Sequence, residues 1–269
     1  MRNNNNKSIV LILWILLKKL STKRIHIAPV GFEIDRIVEP AIEDKADLVY
    51  LILHKNKSED KATSFADIIT KKLNKKRISV QNVYADRFDL FEIIKEIKQI
   101  IERDRKQEYL INVASGSKIH SIACMMALMI FDDRSNLKPF YAIPKKYHSF
   151  ELSEQQTYGV EEIQELPTYR IQTPSKSLIK ILTVIKEMIN KSNNKQITKK
   201  ELVAELEDLG LIETNKESEN HKMAKYTTLD KKVIKPLKEV WGYIDEEKVG
   251  RNRRIFFTSD GEAASKFLF

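Results

Sequence analysis

Ser115-Gly116-Ser117-Lys118 is the stretch of this chain whose residue types best suit the binding of an anion. It follows the apolar run Leu110 to Ala114, which only Asn112 interrupts, and it precedes the helix-patterned Ile119 to Leu128. A buried strand that ends in a tight turn and restarts as a helix leaves backbone N–H groups unpaired at the turn. With Lys118 beside them, those groups can hold a phosphate or the polar edge of a ribose. Ser117 stands where a helix N-cap belongs. One Gly and one Lys make a weak phosphate signature, so the same residues also read as an ordinary strand–helix turn of an α/β protein.

Other chemistries find little footing. The first strand runs into Pro29-Val30-Gly31-Phe32-Glu33 rather than G-x-G-x-x-G, which argues against a dinucleotide redox cofactor. No P-loop is present and no Cys/His spacing points to zinc, so neither cofactor nor metal is expected. The five histidines, His26, His54, His120, His148 and His221, are scattered and read as structural. The single cysteine, Cys124, lies inside an apolar helix pattern and reads as a small core residue. A lone cysteine forms no disulfide within the chain, which fits a reducing cytoplasm.

The elements that must position the turn alternate. Ile25 to Val30 is a first strand, and Glu33 to Ala46 a helix with Ile34, Ile37, Val38, Ala41 and Ile42 on one stripe. Leu48–Leu53, Ile78–Tyr84 and Pro139–Pro144 are further strands, with another over residues 158–166. Lys61–Lys75 and Asp89–Arg105 are helices between them. Strand–helix alternation of this kind builds a mostly parallel, Rossmann-like sheet covered on both faces. Ligands of such sheets bind beyond the carboxyl ends of the strands. Here those ends are Gly31-Phe32-Glu33, His54-Lys55, Asp86-Arg87 and Ser115-Gly116-Ser117-Lys118, which should converge on one rim.

The reading divides the chain into an apolar N-terminal extension (residues 1–22), a ligand-binding α/β domain (23–166), a linker (167–177) and a second domain (178–269). In the extension, Ile9 to Leu17 is too short to span a bilayer comfortably, which takes about 20 residues, and no small-x-small cleavage site follows it. It reads as a membrane-associating or partner-docking helix, as the product of an upstream start codon, or as an extra packed element; the second and third are preferred.

Beyond the linker the alternation stops. Ser177 caps a helix over Leu178–Asn190, and Thr198-Lys199-Lys200-Glu201 is a capping box opening a short helix closed by Gly210. A long helix over Ala224–Val240 contains Pro236, which should kink or shorten it. Trp241–Asp245 and Arg253–Thr258 are the strands of a hairpin with its tip at Glu247–Asn252, and a terminal helix starts at Ser259. Three helices and a hairpin make an α+β winged helix–turn–helix, whose third helix enters the major groove.

Charge falls where that geometry needs it. The chain carries a net +9. Residues 25–174 hold 22 basic and 23 acidic residues, whereas residues 1–24 hold six basic and no acidic ones, and residues 175–269 hold 19 basic and 15 acidic ones. A near-neutral body with basic ends suits a ligand-binding domain joined to a module for a polyanion. Lys225, Lys231, Lys232, Arg251, Arg253 and Arg254 are candidate phosphate contacts, and Tyr226, Thr227 and Thr228 candidate base readers. The same fold also serves dimerisation or protein contacts, so double-stranded DNA is the expected partner because charge and shape agree.

Ile25-His26-Ile27-Ala28-Pro29-Val30-Gly31-Phe32-Glu33-Ile34-Asp35-Arg36, together with Asn112-Val113-Ala114-Ser115-Gly116-Ser117-Lys118, resembles the CARF (CRISPR-associated Rossmann fold) domains of archaeal CARF–winged-helix transcriptional regulators. The resemblance covers residues 24 to about 145 by motif and the remainder by domain order. It implies a homodimer whose interface binds a cyclic oligoadenylate, often cyclic tetra-adenylate, in CRISPR-linked antiviral defence. The implied ligand-binding residues are Gly31, Phe32 and Glu33 after the first strand and Ser115, Gly116, Ser117 and Lys118 after the fourth. Phe32 or Tyr84 is placed to stack on adenine. The turn reads Ser-Gly-Ser where the family carries Gly-Gly or Gly-Thr before its Lys. Some CARF domains cleave their own ligand without metal, by attack of a 2′-hydroxyl on the adjacent phosphate. In that alternative Lys118 stabilises charge and Ser115, with Ser117 or His120, positions the phosphate; the sensor-regulator without catalysis is preferred.

Overall fold

The computed structural model describes residues 22–131, 136–148, 155–212, 221–250 and 252–269. The apolar stretch from Ile9 to Leu17 and Arg251 at the hairpin tip lie outside them. The chain divides into two compact units between Ile171 and Gln172. No helix among the described residues is long and apolar enough to cross a membrane.

The first unit is built on β1 (Arg24–Pro29), α1 (Asp35–Glu43), β2 (Leu48–His54), α2 (Thr63–Lys75), β3 (Ser79–Ala85), α3 (Leu90–Arg103), β4 (Glu108–Asn112), α4 (Lys118–Phe131), β5 (Leu137–Tyr147) and β6 (Thr157–Glu165). The strands form one sheet in the order β3-β2-β1-β4-β5-β6. β1 pairs in parallel with β2 and with β4, and β5 in parallel with β4, while β6 returns antiparallel to β5. The strand order reverses between β1 and β4, and at such a switch point the two following loops diverge and leave a crevice. The predicted alternation is therefore the observed one, with a hairpin at its last edge.

Helix α1 is shorter than its hydrophobic stripe, which extended from Glu33 to Ala46. Its end is set by Lys45, which takes a left-handed φ of 54°, while the Ala46 N–H reaches back to the Ala41 carbonyl at 2.9 Å. Its start is bound from far away in sequence: the Gln155 Oε1 accepts from the N–H groups of Ile34 (3.0 Å) and Asp35 (3.3 Å). Pro40 lies inside the helix and offers no N–H to the Arg36 carbonyl four residues earlier. The Asn112 Nδ2 donates to that carbonyl instead, at 2.7 Å, and its Oδ1 accepts from Ala114 N–H at 2.8 Å. The polar residue that interrupts the β4 run thus repairs a proline-broken helix and turns the chain at the strand end.

The second unit contains α5 (Lys176–Lys191), β7 (Ile197–Thr198), α6 (Lys199–Asp208), α7 (His221–Leu229), β8 (Ile244–Val249), β9 (Asn252–Phe257) and α8 (Ser259–Ser265), with its sheet ordered β7-β9-β8. The cap of α5 is Ser175, whose Oγ accepts from Leu178 N–H at 3.3 Å, and not Ser177. A helix whose third residue is Leu178 needs its capping side chain three places earlier. The Thr198–Glu201 capping box is present as expected. After α7 the chain stays helical but widens into π turns over Asp230–Ile234 and Pro236–Val240. The wider turns carry Pro236 where a kink was expected, with the Lys235 N–H on the Asp230 carbonyl and the Trp241 N–H on the Pro236 carbonyl. β8 starts three residues later than the predicted strand and continues through Val249, so that Glu247, Lys248 and Val249 belong to the ladder and pair with Arg254, Arg253 and Asn252 rather than forming the tip.

Candidate functional site

The loops that follow β1 and β4 touch. A Cβ added at Gly31 would lie 3.0 Å from Gly116 N and 3.1 Å from its Cα. Gly116 itself has φ +81°, and a Cβ there would lie 2.8 Å from the Pro29 Cβ. Only glycine allows this approach at this φ. The contact is pinned by Ser115, 1% exposed, whose Oγ donates to the Pro29 carbonyl at 2.7 Å.

Around this junction lies a cleft of about 310 Å³. Gly31, Phe32, Glu33, Gly116, Ser117 and Lys118 line it, as do His54 and Arg87 from the ends of β2 and β3. The strand ends named from sequence therefore meet, except for Ser115, Lys55 and Asp86. Ser115 points into the sheet, because its hydroxyl already bonds Pro29, and Lys55 pairs with Glu92 and Asp86 instead. Of the two aromatic candidates, Phe32 lines the cleft, with its ring edge-on to Phe65 at 5.5 Å. Tyr84 lines a separate hollow, with the Lys57 ammonium 5.4 Å from its ring centre.

The cleft's inner wall is buried and polar. Glu33, 9% exposed, accepts from Arg36 Nη1 at 2.9 and 3.0 Å. Burial raises the Glu33 pKa above the ordinary carboxylate value, against the pull of Arg36. Arg36 Nε donates to the Ala142 carbonyl at 2.7 Å, and the guanidinium lies over the Tyr141 ring at 4.8 Å. At the start of α4, Ser117 Oγ accepts from His120 N–H (3.3 Å) while His120 Nδ1 accepts from Ser117 N–H (3.1 Å). This is a capping box with His in place of Glu or Gln. Burial, reinforced by the positive charge of Arg87, depresses the His120 pKa to about 4, so the ring is neutral at pH 7. Arg87 is ion-paired to the buried Asp60, and its N–H donates to His54 Nδ1 at 3.1 Å. Lys118 stands exposed at the rim. Cys124 is fully buried with its thiol pushed up to about 12, as suits a core residue.

In the second unit, Tyr226, Thr227 and Thr228 fall in the middle and later part of α7 rather than near its start. Tyr226 and Thr227 are exposed, and so are Lys231 and Lys232 on the first π turn. Lys225 is paired with Glu207 at 2.6 Å, which offsets its charge. Arg253 is 62% exposed and 3.5 Å from Glu246; Arg254 sits half-buried beside it on β9.

Residues 24–147 match the family model described as HFX_2341_N-like, N-terminal, and residues 177–268 match the DUF6293 C-terminal winged helix domain. The chain joins an HFX_2341_N-like domain to a DUF6293 winged helix. This order, with the winged helix in second place, is the domain order read from the sequence. A relative, the uncharacterized protein MJ1513 of Methanocaldococcus jannaschii, is 32% identical over 202 residues, which span 66% of this chain and 59% of that protein. Two solved structures show more distant likeness, each with 14% identity and a TM-score of 0.38. One is Enterococcus italicus Csm6 bound to cyclic hexa-2′-fluoro-hexa-dAMP, covering 82% of this chain and 56% of that one. The other is Can2 from Sulfobacillus thermosulfidooxidans in complex with cyclic tetra-adenylate, covering 90% and 63%.

Sequence reasoning left Arg36 and Tyr141 out of the site in the HFX_2341_N-like domain, though both line the cleft; it named His54 and Arg87 only as strand ends on the rim, and His120 only in the ring-cleaving alternative. Two carried a usable local signal. Arg36 lies three residues after Glu33, within ion-pair reach on a helical turn, and His120 lies three after Ser117, in the capping-box position.

Proposed function

We propose that this protein is a homodimeric DNA-binding regulator that senses a cyclic oligoadenylate, of which cyclic tetra-adenylate is the first candidate. The observation that carries the reading is the preformed cleft at the β1/β4 switch point, in one chain with a winged helix whose helical face presents Lys231 and Lys232. The ligand class comes from the sequence resemblance. The cleft's size supports it: about 310 Å³ is at the small end of ligand sites. Such a half-site suits a two-fold ring that a second copy completes with the same loops. Lys118 and the turn N–H groups hold phosphate or ribose, and Phe32 offers a ring face or edge to a base. On the winged helix, Tyr226, Thr227 and Thr228 face the bases, and Lys231, Lys232, Arg253 and Arg254 the phosphates, with Lys225 contributing less because of Glu207. Regulation requires the ring to prefer one of two dimer arrangements, and so one spacing of the DNA half-sites.

The test is calorimetry of the full chain with cyclic tetra-adenylate, for wild type and Lys118→Ala, with chromatography of the recovered ligand and sedimentation for the dimer. Binding that Lys118→Ala weakens, with the ring recovered intact, supports the sensor. Recovery of linear product makes the protein a ring-cleaving enzyme, and absence of binding removes the ligand. For DNA, fluorescence anisotropy across salt should show a log K against log salt slope that falls by about two in Lys231→Ala/Lys232→Ala. An unchanged slope removes those lysines from the interface.

A further inference from the structure

Among the described residues, two buried side-chain donors have no acceptor within the protein, Arg36 Nη2 and His120 Nε2. Both residues are 4% exposed, and both line the β1/β4 cleft. Each is held rigidly by its other nitrogens. Arg36 is fixed through Nε on Ala142 and Nη1 on Glu33. His120 is fixed through Nδ1, which faces the Ser117 N–H and hydroxyl at 3.1 and 2.9 Å. An Nδ1 that accepts a backbone N–H leaves the ring proton on Nε2. Buried donors seldom stay unmatched in a folded protein, because leaving them so is unfavourable.

We propose that His120 Nε2–H and Arg36 Nη2–H are the specificity-determining donors of this site, and that they read uncharged acceptors of the ligand, ring nitrogens of a purine or sugar oxygens, rather than its phosphates. The inference rests on the ring-sensing reading above and assigns the division of labour within it. Charge decides between the acceptors. The Arg36 guanidinium is already matched by Glu33 at contact distance, and a neutral imidazole brings no charge. The inner wall is therefore close to neutral, and a buried anion placed against it would lack a full counter-charge. Among the described residues that line the cleft, the uncompensated cation is Lys118, which stands exposed at the rim, where a phosphate keeps part of its hydration. Phe32 and Tyr141 line the same cavity and supply the apolar surface that a base needs beside its hydrogen bonds. The bases thus turn inward and the phosphates outward.

The test compares His120→Gln with Lys118→Ala in the full chain, by calorimetry with cyclic tetra-adenylate at low and high salt. Glutamine at this position keeps the capping box with Ser117 but removes the imidazole Nε2–H. The expected result is a loss of roughly tenfold in affinity for His120→Gln that is the same at both salt concentrations, whereas the Lys118→Ala loss shrinks as salt rises. Wild type that binds no ring overturns the sensing reading and this inference with it. Wild type that binds while His120→Gln binds equally well overturns the inference alone. A His120→Gln loss that shrinks with salt like that of Lys118→Ala also overturns it, by placing phosphate at His120. Should His120→Gln not fold, the nitrogen-15-labelled wild type gives the same answer: the His120 Nε2–H resonance must shift and slow its exchange with water when the ring is added, and an unmoved resonance overturns the assignment.

Discussion

Replacing Asn112 by Ala tests the link between Pro40 and the site, because the Asn112 amide serves a carbonyl that only a proline leaves open. Asn112 is 1% exposed and bonds the Arg36 carbonyl at 2.7 Å and the Ala114 N–H at 2.8 Å. Leaving a buried carbonyl or N–H unmatched costs about 1–3 kcal/mol each. Asn112→Ala should therefore lower the stability of the first unit by about 3–5 kcal/mol once both groups and the small cavity are included. In a Pro40→Ala background the new N–H at position 40 lies one helical turn from the Arg36 carbonyl and donates to it. The carbonyl penalty then disappears, while the Ala114 N–H and the cavity cost the same in both backgrounds and cancel. The double-mutant cycle should give a coupling of about 1–3 kcal/mol. Urea unfolding of the full chain, followed by far-ultraviolet circular dichroism in a Trp14→Phe background, separates the units, since Trp241 fluorescence then reports the winged helix alone. Penalties that agree within about 0.5 kcal/mol in the two backgrounds would refute the argument.

Acid should act on the same unit through His120. Its pKa is about 4 in the fold against 6.5 for the free side chain, so between these values the unfolded chain binds a proton that the folded chain does not. Stability is present above pH 6.5 and falls as pH drops, by roughly 3 kcal/mol at pH 4; His120→Gln should flatten that part of the pH–stability curve, and an unaltered curve would contradict the buried neutral ring. In the winged helix, a Cβ at Gly261 would collide with the Tyr243 carbonyl oxygen and lie 2.6 Å from the Phe257 ring. Gly261→Ala should cost more than about 2 kcal/mol, whereas Gly210→Ala, with φ +63° and open space around it, should cost about 1 kcal/mol from backbone strain alone; Trp241-monitored unfolding ranks the two, and the reverse order would count against the packing described for the start of α8.

Much of the fold was legible because its signals are local. Hydrophobic stripes named the helices, apolar runs named the strands, and Thr198 with Glu201 gave a capping box that needs no residue farther than a turn away. The rim of strand ends followed from the alternation alone, since a parallel sheet brings successive carboxyl ends to one edge. What stayed hidden depends on bonds between distant residues. Gln155 caps α1 across 120 and 121 positions of sequence, and Asn112 reaches the Arg36 carbonyl across 76. No window centred on either partner contains the other. The bond made by Ser115 was hidden for a related reason: a serine in a glycine turn looks available until the sheet brings the Pro29 carbonyl beside its hydroxyl. Pro236 was read by the rule for α-helices, and the wider π turns relieve the clash that the rule assumes.

The junction of the two loops also constrains how any ligand signal leaves the cleft. Gly31 lies against Gly116, Ser115 bonds the Pro29 carbonyl, Asn112 holds the Arg36 carbonyl, and His120 closes the α4 cap. These are bonds of the chain to itself, and they fix the loops without help from a bound molecule. A ring that enters the cleft meets a surface already folded, so little of its binding free energy goes into ordering loops. Ordering the β1 and β4 loops is then a poor switch, because both states of the switch would look alike there. What a two-fold ring can change is the relation between two copies of the cleft, each rigid in itself. On the proposed function, the regulatory equilibrium therefore lies between dimer arrangements, and the rigidity that the two glycines make possible is what lets a small ligand bias it.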